Sequence, residues 1–556
     1  MKQKNQSNRF SFRQNFLSLQ PKSKAMADNT FLERRYPIGI QTFSEIIKGG
    51  YVYVDKTDLV WKLQQYAKFV FLSRPRRFGK SLLSSTLHSY FAGEKELFEG
   101  LKITQLEKDW VTYPVIHLDL SRAKRQPSAE ELRNVLFRIL EPYCDKYGRG
   151  AYETSPGGRL DGLIRRAYEQ AGKQVAVVID EYDAPLLDRL HDKELLDALR
   201  DVMQEFYVQL KANESMIKFC FITGITKFSQ LSIFSTINNL ANVSMDPVFS
   251  TICGITENEL DSIMAEDIRR MAEAYGCSED EMHKKLKLQY DGYHFSRDSE
   301  GVYNPFSLLK SFQQRDLGSF WFESGTPSFL IKQMQHFRTD ITAMDDIEVP
   351  STAFDRPTEA MTTALPLLYQ SGYLTIKDYE RESQLYKLSI PNQEVRVGFA
   401  DGLLPTYIGL EGFEVQTGFA LKFWRALKAK DLDLALKEMQ SYLASLPYIE
   451  GFKKKLEDVS NAEGFYEWSF YLIFTMLNIY VKTQVKCAGG RIDMVVYMPD
   501  TVYVMELKVN GTAKSALEQI DNKGYAIAYQ TEGRQVVKAG LNFSSETKTL
   551  TDWVIA

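Results

Sequence analysis

The chain has 556 residues, of which 44% are hydrophobic and 25% are charged, and its formal net charge is -4. This length predicts about two to four domains, and the composition is typical of a folded globular protein. The net charge does not indicate a nucleic-acid-binding protein, although it leaves room for a local basic groove. No run approaches the roughly 18 apolar residues that a membrane span requires, so no membrane partner is expected.

The five cysteines are scattered and contain no CxxC pair, which disfavours a disulfide framework or a zinc site. A reducing compartment fits this pattern, and we expect a cytoplasmic protein. The first 25 residues contain six basic residues and no acidic residue, and they lack the apolar region of a secretory signal. Two interpretations remain open: a disordered basic tail over residues 1–34, or a true start at Met26.

From about residue 68, apolar strand-like runs alternate with amphipathic helices, which predicts an α/β domain with a mostly parallel sheet over residues 35–247. The predicted strands cover residues 68–73, 115–120, 175–179 and 217–223. The predicted helices cover residues 80–91, 129–147, 158–171 and 193–210. The run at 175–179 is continuously apolar and rich in β-branched residues, as expected for a strand buried on both faces.

Residues 248–410 are predicted to be mostly helical, because the strand signal becomes weak after residue 247. Residues 257–289 are rich in helix-forming patterns. A helix at 363–371 and two strands at 373–376 and 385–389, joined by a charged loop at 377–383, predict a small winged-helix-like unit. Such a unit serves either as a DNA contact or as a lid against a neighbouring domain. The preceding helix is apolar and poor in basic residues, which favours the lid.

The last part of the chain is predicted to hold a helical connector and a second α/β domain. The connector covers residues 411–460, with helices over 411–444, and the domain covers residues 461–556. Its predicted elements are a helix at 465–480, strands at 492–497 and 502–507, a helix from residue 513 and a strand at 536–541.

Between the first predicted strand and its helix, the run Gly79-Lys80-Ser81 forms the core of a phosphate-binding loop. Gly79 lets backbone N–H groups approach phosphate oxygens, and the helix N-terminus adds donors and partial positive charge. Lys80 would neutralise the β- and γ-phosphates, and Ser81 would hold Mg²⁺. Arg74 stands where the GxxxxGK[ST] pattern has its first glycine, so an ordinary basic helix start is the alternative interpretation.

A second motif, Asp180-Glu181, ends the apolar strand at 175–179. Asp180 would bind the Mg²⁺ held by Ser81, and Glu181 would activate the attacking water as a general base. The alternative is a solvated acidic turn. Ligands in open α/β sheets bind beyond the carboxyl ends of the strands, where both motifs lie, so together they predict nucleotide binding.

Four further residues are candidate nucleotide contacts. Thr223 ends the next predicted strand and could sense the γ-phosphate, or it could cap a helix or a turn. Arg74, Arg76 and Arg77 in the loop could stabilise phosphate charge, or they could be solvated.

A set of charged residues marks the C-terminal domain. Asp493 lies on one predicted strand, and Glu506 and Lys508 lie on one face of the next, so a hairpin can bring the three together. Two nearby carboxylates would hold Mg²⁺ or Mn²⁺, and the lysine could position or deprotonate a metal-bound water. Such a set can cleave phosphodiesters. The alternative is a charged hairpin in which Glu506 and Lys508 form a solvated pair.

Several strings resemble an AAA-ATPase-like family common in Bacteroidetes and other gut and oral bacteria. They are Arg74 to Ser81, Tyr53 to Thr57, Ile179 to Asp183, Tyr290 to Phe295, Tyr303 to Phe306 and Ser324 to Pro327. The resemblance covers about residue 35 to the C-terminus and implies a C-terminal PD-(D/E)xK nuclease-like domain. It implies that arginine at position 74 is normal and that the nucleotide is ATP. It also makes Glu463 a third acid and Gln519 a polar residue of the nuclease-like site.

The expected fold is therefore a P-loop NTPase sheet with helices on both faces, a mostly helical middle region and a restriction-endonuclease-like α/β domain. The predicted function is ATP binding and hydrolysis, coupled to a metal-dependent nuclease-like domain that acts on nucleic acid. One alternative is a regulatory or signalling ATPase whose C-terminal domain binds nucleic acid or a partner without cleaving it. Another is a nucleotide-bound scaffold without turnover. Whether the nucleic acid is DNA or RNA stays open, as does oligomer formation.

Overall fold

The computed structural model describes the chain from residue 34 to residue 556, with gaps. The described residues are 34–190, 192–227, 239–324, 328–337, 339, 344–358, 361–399, 417–445, 466–467, 470, 473–474, 479–531, 533–547 and 549–556. Within these ranges, every helix is too short or too polar to traverse a lipid bilayer.

A five-stranded parallel sheet lies at the centre of the N-terminal half. Its strands are β1 (Phe69–Ser73), β2 (Val115–Asp119), β3 (Val175–Asp180), β4 (Ile217–Gly224) and β5 (Leu240–Asn242). They pair in the order β2-β3-β4-β1-β5, and every pair is parallel. β3 is buried at every position, as the apolar run predicted. The prediction of a parallel α/β sheet is confirmed, whereas the three-residue β5 was too short to give a pattern.

Helices cover both faces of this sheet. They are α1 (Phe43–Lys48), α2 (Thr57–Tyr66), α3 (Lys80–Phe91), α4 (Ile103–Leu106), α5 (Ala129–Tyr147), α6 (Pro156–Ala171), α7 (Ala184–Leu187) and α8 (Lys193–Ala212). Alternate residues of β1 point to opposite faces. Val70 and Leu72 join the core that contains α2 and α3, whereas Phe69 and Phe71 join the core that contains α5, α6 and α8.

Polar caps set the bounds of the long helices. The Ser128 side chain accepts a hydrogen bond from the N–H of Glu131 and begins α5, as a serine N-cap does. Ser155 caps α6 in the same way, with Pro156 as its first residue. α6 therefore begins two residues before the predicted start at 158, because this cap and proline precede the apolar periodicity.

The middle region is mostly helical and carries two small sheets. Its helices are α9 (Glu257–Tyr275), α10 (Glu279–Tyr290), α11 (Pro305–Gln314), α12 (Ser328–His336), α13 (Ser351–Phe354) and α14 (Leu365–Gln370). Its strands are β6 (Ile255–Thr256), β7 (Val302–Tyr303), β8 (Ile347–Val349), β9 (Thr375–Glu380) and β10 (Leu385–Ser389). β6 pairs with β7, and β8-β10-β9 form an antiparallel sheet. β9 extends to Glu380 through its pairing with β10, so the predicted charged loop at 377–383 is shorter.

The C-terminal part is a mixed sheet with three described helices. The helices are α15 (Thr417–Lys428), α16 (Leu432–Ser445) and α17 (Ala513–Lys523). The strands are β11 (Tyr480–Cys487), β12 (Gly490–Tyr497), β13 (Thr501–Val509), β14 (Gln535–Ser544) and β15 (Thr549–Ile555). They lie in the order β11 to β15, and the only parallel pair in this sheet, β13 with β14, is connected through α17.

Two features of this part differ from the sequence prediction. β11 begins at Tyr480, the last residue of the helix predicted over 465–480, most of which lies outside the described residues. α16 lies against the C-terminal sheet, since Gln440 Nε2 donates to the Leu550 carbonyl (2.7 Å) and the Trp553 indole N–H donates to Asp433 (2.9 Å). α16 therefore packs on this sheet, although the sequence placed it in a separate connector.

Candidate functional site

The phosphate-binding loop connects β1 to α3 at the carboxyl edge of the parallel sheet. Gly79, immediately before α3, has φ 92° and ψ 16°. A Cβ atom there would meet no other atom within 4 Å, so the left-handed backbone rather than lack of space favours glycine. No side chain caps the N-terminus of α3, which leaves its first N–H groups open to an anion.

Lys80 lies over this loop. Its side chain is buried, and Nζ donates a hydrogen bond to the Pro75 carbonyl at 3.0 Å. Burial lowers the pKa of Lys80, while the carboxylates of Asp180, Glu181 and Asp183 oppose that shift. The ammonium group is therefore placed between the loop and the acidic end of β3, where the phosphates of a nucleotide would lie.

Ser81 and Asp180 meet at the same edge. The Ser81 hydroxyl lies beside the buried Asp180 carboxylate. Burial raises the pKa of Asp180, and the Ser81 hydroxyl and the Lys80 charge act against this effect. A hydroxyl and a carboxylate are the hard oxygen ligands that Mg²⁺ prefers, so this pair fits the predicted metal.

Glu181, the candidate general base, is engaged by a lysine that the sequence prediction did not include. Lys124 Nζ lies 2.5 Å from Glu181 Oε2. Glu181 has φ 51°, which is unusual for a residue other than glycine. Lys124 follows β2, whose last residue Asp119 is in register with Asp180. In the sequence, the only indication was that a basic residue, Lys124, follows β2 by a few positions.

The Thr223 side chain contacts the neighbouring strand β1. Its hydroxyl donates to the Leu72 carbonyl of β1 at 2.7 Å and is fully buried. The next polar group along the chain, Thr226, donates its hydroxyl to Asp183 Oδ2 at 2.7 Å. The prediction that Thr223 senses the γ-phosphate therefore finds no support in these contacts.

Arg74 is a buried structural residue. Its guanidinium group donates to the carbonyl oxygens of Ser244 (2.7 Å) and Phe249 (2.9 Å), and it lies 4.1 Å from the centre of the Phe295 ring. Burial lowers its pKa to about 10, so the side chain keeps its charge at neutral pH. These contacts direct the charge into the protein, so they do not support a phosphate contact for Arg74.

The side chain of Arg77 also points out of the loop, toward the middle region. It donates to the Phe320 carbonyl at 2.7 Å, and its guanidinium carbon lies 3.9 Å from the centre of the Phe306 ring. Both partners belong to the middle region. The predicted phosphate contact of Arg77 likewise finds no support in these contacts.

Asp183 is a further residue of this edge to which the sequence analysis assigned no role. It is buried, and its Oδ2 atom accepts hydrogen bonds from the N–H groups of Ile225 (3.1 Å) and Thr226 (2.7 Å). The carboxylate thereby ties the loop after β4 to the end of β3. In the sequence, Asp183 could have been found as the second aspartate of the string Ile179 to Asp183.

A second site lies on β12 and β13 of the C-terminal sheet. The Asp493 Oδ2 atom accepts from the N–H of Leu507 at 2.9 Å, and the Asp493 N–H lies 3.5 Å from Glu506 Oε2. Lys508 Nζ lies 3.6 Å from Glu506 Oε1. The structure thus brings together the three residues that the hairpin pattern predicted.

Glu506 is the most buried member of this set, with 1% of its side chain exposed. Burial raises its pKa to about 8, helped by the charge of Asp493 and opposed by that of Lys508. Gln519 on α17 donates its amide to Glu506 Oε1. Two adjacent carboxylates are suitable oxygen ligands for Mg²⁺ or Mn²⁺. Among the described residues, no three His, Cys, Asp or Glu side chains form a ready metal site.

Gln484 and Glu467 extend this site. Gln484 Nε2 donates to Glu467 Oε2 at 2.7 Å and lies 3.5 Å from Asp493 Oδ1. Gln484 has φ 51° inside β11. The predicted third acid, Glu463, lies outside the described residues. No sequence pattern pointed to Gln484, because β11 itself was not predicted.

Two family models match the chain where these two sites lie. The family described as "Predicted AAA-ATPase" matches residues 37–234. The family described as "PD-(D/E)XK nuclease superfamily" matches residues 461–553. The first range contains the phosphate-binding loop and β3, and the second contains β11 to β14 and most of β15.

A curated relative and a solved structure were also found. The chain is 32% identical over 529 residues to the "Uncharacterized protein in vnfD 5'region" of Azotobacter chroococcum mcd 1, covering 94% of this chain and 99% of that protein. The solved structure is that of the Aeropyrum pernix ORC2 protein in ADPNP–ADP complexes. It covers 60% of this chain and 88% of that chain at 12% identity, and its TM-score of 0.24 is too low to support an argument.

Proposed function

The chain belongs to the predicted AAA-ATPase family with a C-terminal PD-(D/E)XK nuclease domain, and on that premise we propose that it hydrolyses ATP and cleaves nucleic acid with a divalent metal. The proposal rests on one observation: each of the two domains has an assembled set of acidic residues and a lysine. At the phosphate-binding loop the set is Lys80, Ser81, Asp180 and Glu181. In the C-terminal sheet it is Asp493, Glu506 and Lys508.

In the ATPase site, each residue has a distinct role. Lys80 neutralises phosphate charge, and the backbone N–H groups at the start of α3 bind phosphate oxygens. Ser81 and Asp180 would hold Mg²⁺, which supplies charge stabilisation on the phosphates. Glu181 accepts a proton from the attacking water once its contact with Lys124 opens.

In the nuclease-like site, Asp493 and Glu506 would hold Mg²⁺ or Mn²⁺, which polarises the phosphodiester and lowers the pKa of a bound water. Lys508 orients the nucleophile from its position beside Glu506. The amide of Gln519 fixes the orientation of the Glu506 carboxylate.

A cleavage assay tests this function. Purified protein is incubated with plasmid, single-stranded DNA or RNA, in Mg²⁺ or Mn²⁺, with and without ATP. Metal-dependent cleavage that is lost in Asp493→Ala supports the nuclease, and a changed rate in Lys80→Ala shows that nucleotide controls it. Glu181→Gln is expected to lose ATP hydrolysis and keep ATP binding. Intact ATP hydrolysis without cleavage of any substrate rejects the nuclease activity.

One observation favours a second function, an ATPase whose C-terminal domain binds nucleic acid without cutting it. Gln519 and Lys508 both contact Glu506 Oε1, so this carboxyl oxygen is already engaged by two donors. An oxygen engaged in this way is less available to a metal ion. Retention of labelled DNA or RNA without cleavage, in the same metal conditions, would establish this alternative.

A further inference from the structure

Every residue of the loop from Arg74 to Phe78 is contacted by the middle region. The contacts pair Arg74 with Phe295, Pro75 with Gly372, Arg76 with Trp321, Arg77 with Phe306 and Phe320, and Phe78 with Tyr293 and Phe295. These partners come from segments that lie about 200 to 300 residues further along the chain. The loop that precedes Gly79 is thus enclosed by a second part of the molecule.

Trp321 makes a direct hydrogen bond to the loop backbone. Its indole N–H donates to the Arg76 carbonyl at 3.2 Å. The ring is buried and packs against Phe322 and Tyr373, with ring centres 5.0 and 5.2 Å away. Trp321 therefore holds the carbonyl of a loop residue from a fixed position.

Glu394 orders the turn that carries Trp321. Its side chain is fully buried, and Oε1 accepts hydrogen bonds from the N–H groups of Phe320 (2.7 Å) and Trp321 (2.9 Å). The carbonyl of Phe320 in turn accepts from Arg77. A buried carboxyl is costly unless it is hydrogen-bonded, and these two N–H groups satisfy its Oε1 atom.

Gly372 packs closely against Pro75 of the loop. It has φ 86°, and a Cβ atom there would lie 2.7 Å from Cβ and Cγ of Pro75. Only glycine allows this close approach, since any side chain would push Pro75 and the loop away.

The loop needs such support because its own sequence does not favour a phosphate-binding shape. Arg74 replaces the first glycine of the pattern, and Arg77 has φ 66°, which is unfavourable for any residue with a side chain. Backbone N–H groups bind phosphate only when the loop directs them to one point. Strained conformations of this kind persist where the surroundings hold them.

We propose that Trp321 and Glu394 are positioning residues for nucleotide binding, which hold the phosphate-binding loop in shape from the middle region. This inference rests on the proposed ATP binding. In this arrangement Arg77 is a contact to the middle region and not a ligand of the γ-phosphate. The middle region then supports the nucleotide site through its contacts with the loop.

Equilibrium binding of ATP and ADP to the full-length chain in Mg²⁺, measured by calorimetry, tests the proposal. Trp321→Phe removes the indole donor and keeps an aromatic ring, and Glu394→Ala removes the acceptor of both N–H groups. Trp321→Phe loses one hydrogen bond and is expected to weaken ATP and ADP binding equally, by about tenfold. Glu394→Ala loses two and is expected to weaken the binding of both nucleotides by about tenfold or more. Glu394→Gln should restore most of the affinity, because its amide oxygen still accepts.

Trp553→Phe is the matched control, since it also loses one indole hydrogen bond, to Asp433, in the C-terminal sheet. It should bind both nucleotides as the wild type does. If Trp321→Phe and Glu394→Ala bind both nucleotides with wild-type affinity, the inference is wrong, whether or not their melting temperatures fall. The proposed ATP binding would be unaffected by that result. If Arg77→Ala weakens the binding of ATP much more than the binding of ADP, the inference is also wrong, because Arg77 would then contact the γ-phosphate. A wild-type chain that binds neither nucleotide overturns the proposed function as well.

Discussion

Lys124 holds the carboxylate that is expected to act as the general base. The Lys124–Glu181 pair is partly exposed, with side-chain exposures of 41% and 28%, so its stabilisation is modest. The ion pair occupies Oε2 of Glu181, an oxygen that would otherwise be open to accept a proton from the attacking water. Lys124→Ala should therefore raise the rate of phosphate release at saturating ATP by about two- to fivefold, in line with a weak ion pair.

The control for this prediction is Lys124→Arg, which keeps the positive charge and should behave as the wild type. ATP affinity should be equal in all three proteins, because Lys80 and the loop are unchanged. A lower hydrolysis rate in Lys124→Ala would show that Lys124 assists the reaction instead of restraining Glu181.

Glu394 predicts a pH dependence of stability. Burial raises its pKa from the ordinary value of 4.5 to about 7. The folded state therefore holds this proton more tightly than the unfolded state, and the free energy of unfolding should fall as the pH rises from about 4.5 to about 7. Glu394→Gln cannot titrate. Its free energy of unfolding should therefore rise by about 2 kcal/mol relative to that of the wild type as the pH rises over this interval. Denaturant unfolding of both proteins at pH 5 and pH 8 measures the difference, and parallel pH profiles would contradict the assignment.

At the scale of one strand, Gln484 combines strain with a contact to the nuclease-like site. Its φ of 51° within β11 is unfavourable for glutamine, and its amide links Glu467 to Asp493. Gln484→Gly should keep or raise the melting temperature, since glycine tolerates this conformation. The same variant should lower metal-dependent cleavage by about tenfold, as expected for the loss of one positioning hydrogen bond.

Gln484→Ala separates the two effects, because alanine keeps the strain and loses the amide. It should lower both the melting temperature and the cleavage rate. Full cleavage by Gln484→Gly would show that the amide has no part in positioning Asp493.

At the scale of the whole molecule, the contacts of α16 predict which C-terminal fragment of the chain folds stably. α16 shares hydrogen bonds with Leu550 and Trp553 of β15, and Lys430, between α15 and α16, pairs with Asp500 at 2.7 Å. A fragment over residues 411–556 should unfold cooperatively. A fragment over residues 461–556 should have a lower melting temperature or aggregate, because it uncovers the face of β15. Equal melting temperatures would contradict the role of α16.

The features that depend on local patterns could be predicted from the amino-acid sequence. The bounds of α3 and α5 follow from helical periodicity and from Gly79 and Ser128 at their N-termini. β3 follows from its apolar run, and the loop, Asp180 and Glu181 follow from short motifs beside predicted strands. Asp493, Glu506 and Lys508 could be placed together because two adjacent strands form a hairpin.

The tertiary structure decided everything that depends on partners far apart in the chain. Arg77 and Phe320 are 243 residues apart, and the partners of Arg74 are 170 and 175 residues away, so no local pattern could show that both arginines point into the protein. The Lys124–Glu181 contact depends on the neighbouring positions of β2 and β3 in the sheet. A guanidinium or hydroxyl group can donate to a phosphate or to a backbone carbonyl, and the packing of the chain determines which of them it meets.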